Sequence, residues 1–290
     1  MFESRQERHF IEAVSPLLFL PDDMDKLQIL LTNDDGIRSP GLWAAAAALG
    51  ALGRVTVAAP KEQSSGFGRS LPNTSSGIIH NEKLQVNGQE WTVHAVSGSP
   101  AQAVQHAVLE IMPQKPALVV SGINYGENVG FGITISGTVG AAMEAASLNL
   151  PALAVSLEAT PDYHFSYSKD MDFSVSAYFT AFFGRLLLEK GMPDDVHLLK
   201  VDIPSDATEQ TPWQVTRLSR QRYYEPIPAE RKTWEVAGPI SYKETFVLDG
   251  EDENSDVYVL RKKRLIAVTP ISLDMTSRVE LSDLENRLRE

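Results

Sequence analysis

Cysteine is absent from the 290-residue chain. That excludes a disulfide framework, a thiolate zinc site, an iron–sulfur cluster and a cysteine nucleophile. No apolar run approaches the roughly 18 to 20 residues a membrane span needs. Basic residues are the minority, 26 against 38 acidic, for a formal net charge of −12. Bulk electrostatics therefore argues against long nucleic acid or an anionic membrane as partner. A small anion stays possible where positive charge is supplied locally. None of the six histidines forms an HExxH or another close metal-ligand pair, which makes zinc the less favoured metal. A P-loop (GxxxxGKS/T) is also missing, and so is a GxGxxG fingerprint after the first strand, which disfavours a dinucleotide site. What is left, 43% hydrophobic and 22% charged, is the composition of an ordinary soluble globule with room for a sizeable core.

Residues 1–26 read as an N-terminal extension. Pro16-Leu17-Leu18-Phe19-Leu20 is too short an apolar core for a signal peptide, and Glu3, Glu7 and Glu12 spoil its basic flank. A cytoplasmic protein is expected, with Met24 a possible alternative start. From Leu27 to Asn33 the chain is apolar enough for a strand covered on both faces. Ser39-Pro40 supplies an N-cap and a first-turn proline for an alanine-rich helix to about Leu52, and Arg54–Pro60 is the next strand. Strand, helix and strand in about 30 residues is a βαβ unit and implies a parallel sheet.

A polar loop spans Lys61 to Gly77, and a hairpin turns at Asn87-Gly88. Ser99 and Gln102 form a capping box for the following helix. Ala117–Val120 reads as a strand, Gly122–Gly137 as a glycine-rich stretch, Thr138–Leu148 as a small-residue helix and Ala152–Leu157 as another buried strand. Further on, 172–190 is helical in pattern, Val196–Ile203 and Arg264–Thr269 are strand-like, and Arg217–Glu244 is irregular, basic and aromatic. Ser282-Asp283-Leu284-Glu285 is expected to cap a terminal helix bearing Leu281, Leu284 and Leu288. The expected fold class is α/β: a Rossmann-like, doubly wound, mostly parallel sheet in three layers with a β-hairpin. One domain over 27–290 is expected, with its core in about 27–210 and a C-terminal arm, hairpin and helix in about 211–290.

Asn33-Asp34-Asp35-Gly36 carries the strongest chemical signal, because it follows the first strand of a parallel sheet, where such folds place ligands. The plain alternative is a solvated turn, but adjacent carboxylates in a crevice repel unless something neutralises them. Ser65 follows the second strand and Asn124 the strand at Val120; taken singly, each is an ordinary loop residue. Together, Asp34, Asp35, Ser65 and Asn124 converge on one sheet edge. Four oxygen donors, two of them carboxylates, suit a hard cation such as Mg²⁺ or Mn²⁺. Two carboxylates against a dication leave the site roughly neutral, so that a phosphate can approach. Ser136-Gly137-Thr138 opens a helix, and its N–H groups and hydroxyls can cradle an anion. Alone it would be an N-cap with glycines for close packing; beside a metal site, bound phosphate is the better reading.

This set of motifs resembles the SurE family of metal-dependent 5′/3′-nucleotidases. The resemblance is carried by Ile29–Ile37 with Pro40-Gly41, Val57–Pro60 with Ser65-Gly66, and Val119–Asn124 with Gly126, Asn128 and Gly130. Ser136–Val139 through Ala141–Glu144 and Pro151–Ser156 complete the close match over about 27–157, with a weaker echo at Thr269–Thr276. It implies an α/β core, one divalent cation per subunit on Asp34, Asp35, Ser65 and Asn124, and hydrolysis of nucleoside monophosphates. It also implies C-terminal regions exchanged or extended between subunits of a homodimer or homotetramer. Phe131, Gly132 and Ile135 depart from the family pattern, which places acidic residues and a tyrosine there.

The expected chemistry is metal-assisted phosphomonoester hydrolysis, with Asp34 and Asp35 holding the cation and Asn33 orienting a carboxylate or the phosphate. Gly137, Thr138 and Ser136 would stabilise the phosphoryl oxygens. An aspartyl-phosphate route ranks second, since the DxD spacing of the haloacid-dehalogenase phosphatases is lacking. A non-catalytic metal and nucleotide sensor of the same fold is the alternative function. A metal-dependent glycosyltransferase is a more distant one.

Overall fold

The computed structural model describes residues 27–160 and 171–290. The expected extension at 1–26 lies outside the described residues. The first strand, β1 (Gln28–Thr32), is buried along its whole length. α1 (Pro40–Leu49) crosses back to β2 (Arg54–Pro60), which lies parallel to β1. β3 (Ile79–Val86) and β4 (Gln89–Val96) form the hairpin at Asn87-Gly88, where both turn residues have positive φ. Then come α2 (Pro100–His106), β5 (Leu118–Tyr125), α3 (Gly137–Ser147), β6 (Ala152–Leu157), α4 (Ser174–Lys190) and β7 (Leu198–Ile203). The last part holds β8 (Trp213–Val215), β9 (Tyr224–Ile227), β10 (Ser241–Glu244), α5 (Asp256–Arg261), β11 (Ile266–Ile271) and α6 (Leu281–Arg289).

The strands build one nine-stranded sheet in the order β3-β4-β2-β1-β5-β6-β7-β11-β8, with β9 and β10 as a separate two-stranded ribbon. From β4 through β7 neighbouring strands are parallel. The alternation along β1 assigns the layers: Ile29 and Leu31 join the cluster of Leu42 and Trp43 from α1 and Phe179 and Phe183 from α4. Leu30 faces the other way, with Val104 of α2 and Val139 and Ala142 of α3. This is the doubly wound, three-layer architecture. Because β2 lies on one side of β1 and β5 on the other, the winding reverses at β1. The crevice beyond its carboxyl end is the expected ligand position.

Some local details differ from expectation. The capping box at Ser99 and Gln102 is formed. Ser39 sits at the N-cap of α1, but its side chain makes no capping bond. α6 begins at Leu281 with Glu280 as its N-cap residue, so Ser282 lies inside the helix. β5 runs past Val120, through a cis Gly122–Ile123 bond and a register shift between Ser121 and Asn124. Asn124 therefore stands on a strand. The stretch 217–244 contains β9 and β10 and contributes Tyr223 to a third core with Val129, Val257, Val259, Leu260 and Ala267.

Candidate metal centre and cleft

The site begins where β1 stops. The Asn33 side chain closes the turn on Gly36, accepting its N–H (3.2 Å) and donating to its carbonyl (3.1 Å). Gly36 takes φ +97°, a conformation that favours glycine. The Asn33 side chain thus spends these hydrogen bonds on the turn that carries the two carboxylates. Asp34 lines the crevice and Asp35 lies beside it in the chain without lining it; the two are only 4% and 3% exposed.

Asp34 accepts the Thr138 hydroxyl, and the backbone N–H groups of Gly137 and Thr138 also favour its charge. The approach is close: a Cβ on Gly137 would fall 2.7 Å from the Asp34 Cβ and 2.8 Å from Oδ2. Only glycine fits at that point of α3. Ser136 accepts the Val139 N–H (3.1 Å) as an N-cap. The expected anion cradle is therefore occupied in large part by the protein's own carboxylate. A helix N-terminus favours any negative charge placed on it, and here Asp34 is that charge.

Asp35 accepts the Tyr125 N–H (3.3 Å) and the Gln63 amide (3.5 Å), and the same amide reaches the Ser65 hydroxyl at 3.0 Å. The Ser64 N–H donates to the Asp34 carbonyl (2.7 Å), which fastens the loop after β2 to the turn after β1. Asn124 spends its amide N–H groups on the carbonyls of Gly126 (2.7 Å) and Tyr125 (3.2 Å). Its Oδ1 is the atom left for a cation.

Burial raises the pKa of Asp34 despite its hydrogen bonds, and that of Asp35 well above the usual range, with the Asp34 charge adding to the effect. Two desolvated, mutually repelling carboxylates with a hydroxyl and an amide carbonyl beside them are a donor set for a hard divalent cation. Asp34, Ser65 and Asn124 share one cleft of about 340 Å³ with Ser136, Arg222 and Tyr224. The far wall comes from β9 and β10 through Tyr224, Pro226 and Tyr242, and Gly132 and Ile135 also line it. Phe131 is exposed.

Several supporting residues escaped the sequence. Gln63 braces Asp35 and Ser65. A fully buried triad of Lys200, Asp202 and Asp256 holds the loop that follows Asn124: the Asn128 N–H donates to Asp202 (2.7 Å) and the Gly130 N–H to Asp256 (3.0 Å). In the same loop Glu127 meets Arg261 and the Tyr223 hydroxyl. The contacts of Asn128, Gly130 and Glu127 join residues 74 to 134 positions apart, so no local pattern announces them.

The fold and the site together define an α/β protein that gathers oxygen donors at the carboxyl edge of its sheet. Sequence and structure comparisons make this narrower. The family "Survival protein SurE" matches residues 29–225. The chain is 39% identical to 5′-nucleotidase SurE of Thermococcus gammatolerans, covering 90% of this chain and 96% of that protein. It is 38% identical to 5′-nucleotidase SurE of Methanocaldococcus jannaschii, over 86% of this chain and 93% of that one. The crystal structure of the SurE protein from Aquifex aeolicus superposes with a TM-score of 0.70 at 31% identity, covering 91% of this chain and all of the other. The chain belongs to the SurE family. Among the described residues, no helix is long and apolar enough to cross a membrane.

Proposed function

We propose that this chain is a divalent-metal-dependent 5′-nucleotidase, which hydrolyses nucleoside 5′-monophosphates, and 3′-monophosphates as a second substrate class, to nucleoside and phosphate. The observation that carries the proposal is the buried pair Asp34 and Asp35 at the point where the sheet reverses its winding, each carboxyl raised in pKa by burial. Family membership and the activity named for its relatives support it. Asp34, Asp35, Ser65 and Asn124 would hold one Mg²⁺ or Mn²⁺ per subunit. When bound, the cation supplies Lewis acidity toward a phosphoryl oxygen and lowers the pKa of water.

This chain's residues do the positioning. Thr138 and the N-terminus of α3 fix Asp34, Gln63 and the Tyr125 N–H fix Asp35, and Asn33 locks the turn between them. Water adds to phosphorus, the phosphorus–oxygen ester bond breaks, and the proton from water passes to the departing nucleoside oxygen. The apolar wall of Tyr224, Pro226 and Tyr242 gives a planar base a surface to rest on.

We take residues 27–290 as one domain, in keeping with β8 and β11 extending the sheet of β1. We also propose a homo-oligomer, dimer or tetramer, joined through the C-terminal arm. α6 has no buried residue, and Leu281 and Leu288 on it are 63% and 77% exposed. Trp234, beyond β9, is 86% exposed.

The test is phosphate release from 5′- and 3′-nucleoside monophosphates with Mn²⁺, Mg²⁺ or EDTA, for wild type and Asp34→Asn, with thermal melts confirming that both fold. Metal-dependent release is expected, and its loss in the variant should exceed the roughly 10- to 100-fold cost of removing a supporting residue. Nucleotide binding without release under any metal would replace the enzyme by the sensor.

A further inference from the structure

Phosphate brings about −1.5 to −2 charges into the cleft at neutral pH, and the chain as a whole is acidic. The site must supply a local counter-charge beyond that of the cation, which Asp34 and Asp35 balance. The N-terminus of α3, the obvious source in the sequence, already faces a carboxylate: the Thr138 hydroxyl donates to Asp34, the N–H groups of Gly137 and Thr138 favour that charge, and the Ser136 oxygen accepts the Val139 N–H. The other acidic residue lining the cleft, Glu127, is matched by Arg261.

Among the described residues, Arg222 is the one cationic side chain that lines the cleft together with Asp34, Ser65 and Asn124. It stands just before β9. Its Nε donates to the Tyr224 carbonyl at 3.2 Å, and among the described residues its two Nη groups have no hydrogen-bond partner. The side chain is therefore held at its root with its planar fork unspent, the arrangement that suits bidentate binding of a phosphate. We infer that Arg222 is the residue that binds the substrate's phosphate opposite the metal ligands, and so makes the β9–β10 ribbon part of the substrate site. This inference rests on the nucleotidase reading of the cleft. It moves the phosphate-binding role away from Gly137 and Thr138.

The test uses the full-length, Mn²⁺-loaded protein with Arg222→Met and Arg222→Lys. Arg222 is exposed, so both variants should fold, and thermal melts check this. Losing a charged hydrogen-bonding partner should raise KM for AMP about tenfold to a hundredfold in Arg222→Met. The inhibition constant of inorganic phosphate should weaken by the same factor. Inhibition by adenosine, which carries no phosphate, should not change, and neither should Mn²⁺ affinity by calorimetry. Arg222→Lys should recover part of the phosphate affinity, because it restores the charge without the fork. Unchanged phosphate affinity in folded Arg222→Met would overturn the inference, and so would equal weakening of phosphate and adenosine. If wild type releases no phosphate from any nucleotide, the nucleotidase reading fails. Calorimetric binding of inorganic phosphate to wild type and Arg222→Met then still decides the role of Arg222.

Discussion

Two pairs of aspartates are buried in this fold, and they are neutralised in different ways. Asp202 and Asp256 enclose Lys200, and all three are fully buried. Burial pushes Asp202 up to about 6 against the pull of the lysine, and burial opposes the Lys200 charge less than the two carboxylates favour it. The oxygens that Lys200 leaves, Oδ1 of each, take the N–H groups of Asn128 and Ser219, and the Gly130 N–H joins Lys200 on Asp256 Oδ2. Asp34 and Asp35 are nearly as deeply buried, yet their hydrogen bonds include those from a hydroxyl, an amide and a backbone N–H group. Asp34 also repels Asp35. The first pair is balanced from within the chain and works as a structural rivet. For the second we propose that a bound cation supplies the balance. The rivet also serves the site, since it pins the loop that leaves Asn124.

Removing the inner cation should have the largest effect. Lys200→Met leaves two carboxylates buried without it and should cost about 3–5 kcal/mol, measured by urea unfolding in EDTA. Replacing Asp202 and Asp256 by asparagine in the same protein should recover part of that loss. A cost near zero would mean that Lys200 is not what balances them.

The outer pair should respond to metal instead. Mn²⁺ at about a hundred times its dissociation constant should stabilise wild type by about 2.7 kcal/mol, read as a rise in Tm. Asp34→Asn should show little of it. If the Lys200 region carried the metal response, Asp34→Asn would keep it.

Thr138→Val sharpens the comparison by removing only the hydroxyl bond to Asp34. Mn²⁺ affinity should fall about tenfold, or about 1.4 kcal/mol, by calorimetry. Unaltered affinity would show that the α3 contact is packing alone.

The smallest effect concerns pH. Both outer carboxyls have folded-state pKa values above the unfolded 3.8. The metal-free folded protein therefore holds protons that the unfolded chain releases, and it loses stability as pH rises through that window. Asp35→Asn lacks the loss, so in EDTA it should be the more stable protein at neutral pH. That advantage should shrink as the pH falls toward 4. The opposite trend would show that Asp35 is balanced within the chain, as Asp202 is.

Much of the core was legible in the sequence because it is written locally. The apolar run of β1, the Pro40 start of α1, Asn87-Gly88 and the Ser99–Gln102 box each act over a few residues, and each lies where expected. Asp34, Asp35, Ser65 and Asn124 could be named together because parallel strands carry their exits to one edge. The residues that finish the cleft could not be. Arg222, Tyr224 and Tyr242 reach it through a ribbon whose four-residue strands carry no strong pattern. Ser136-Gly137-Thr138 shows a subtler gap: a helix N-terminus signals an anion, but a sequence does not say whether that anion is a ligand or an aspartate. The Ser282 motif was displaced because Glu280, not Ser282, sits where α6 starts.

The most direct measurement of the central claim is an anomalous difference map at the manganese edge from crystals grown with Mn²⁺. One peak per subunit among Asp34, Asp35, Ser65 and Asn124, absent in Asp34→Asn crystals, is the result this account predicts. A peak elsewhere in the protein, or none in the cleft at saturating Mn²⁺, would contradict it.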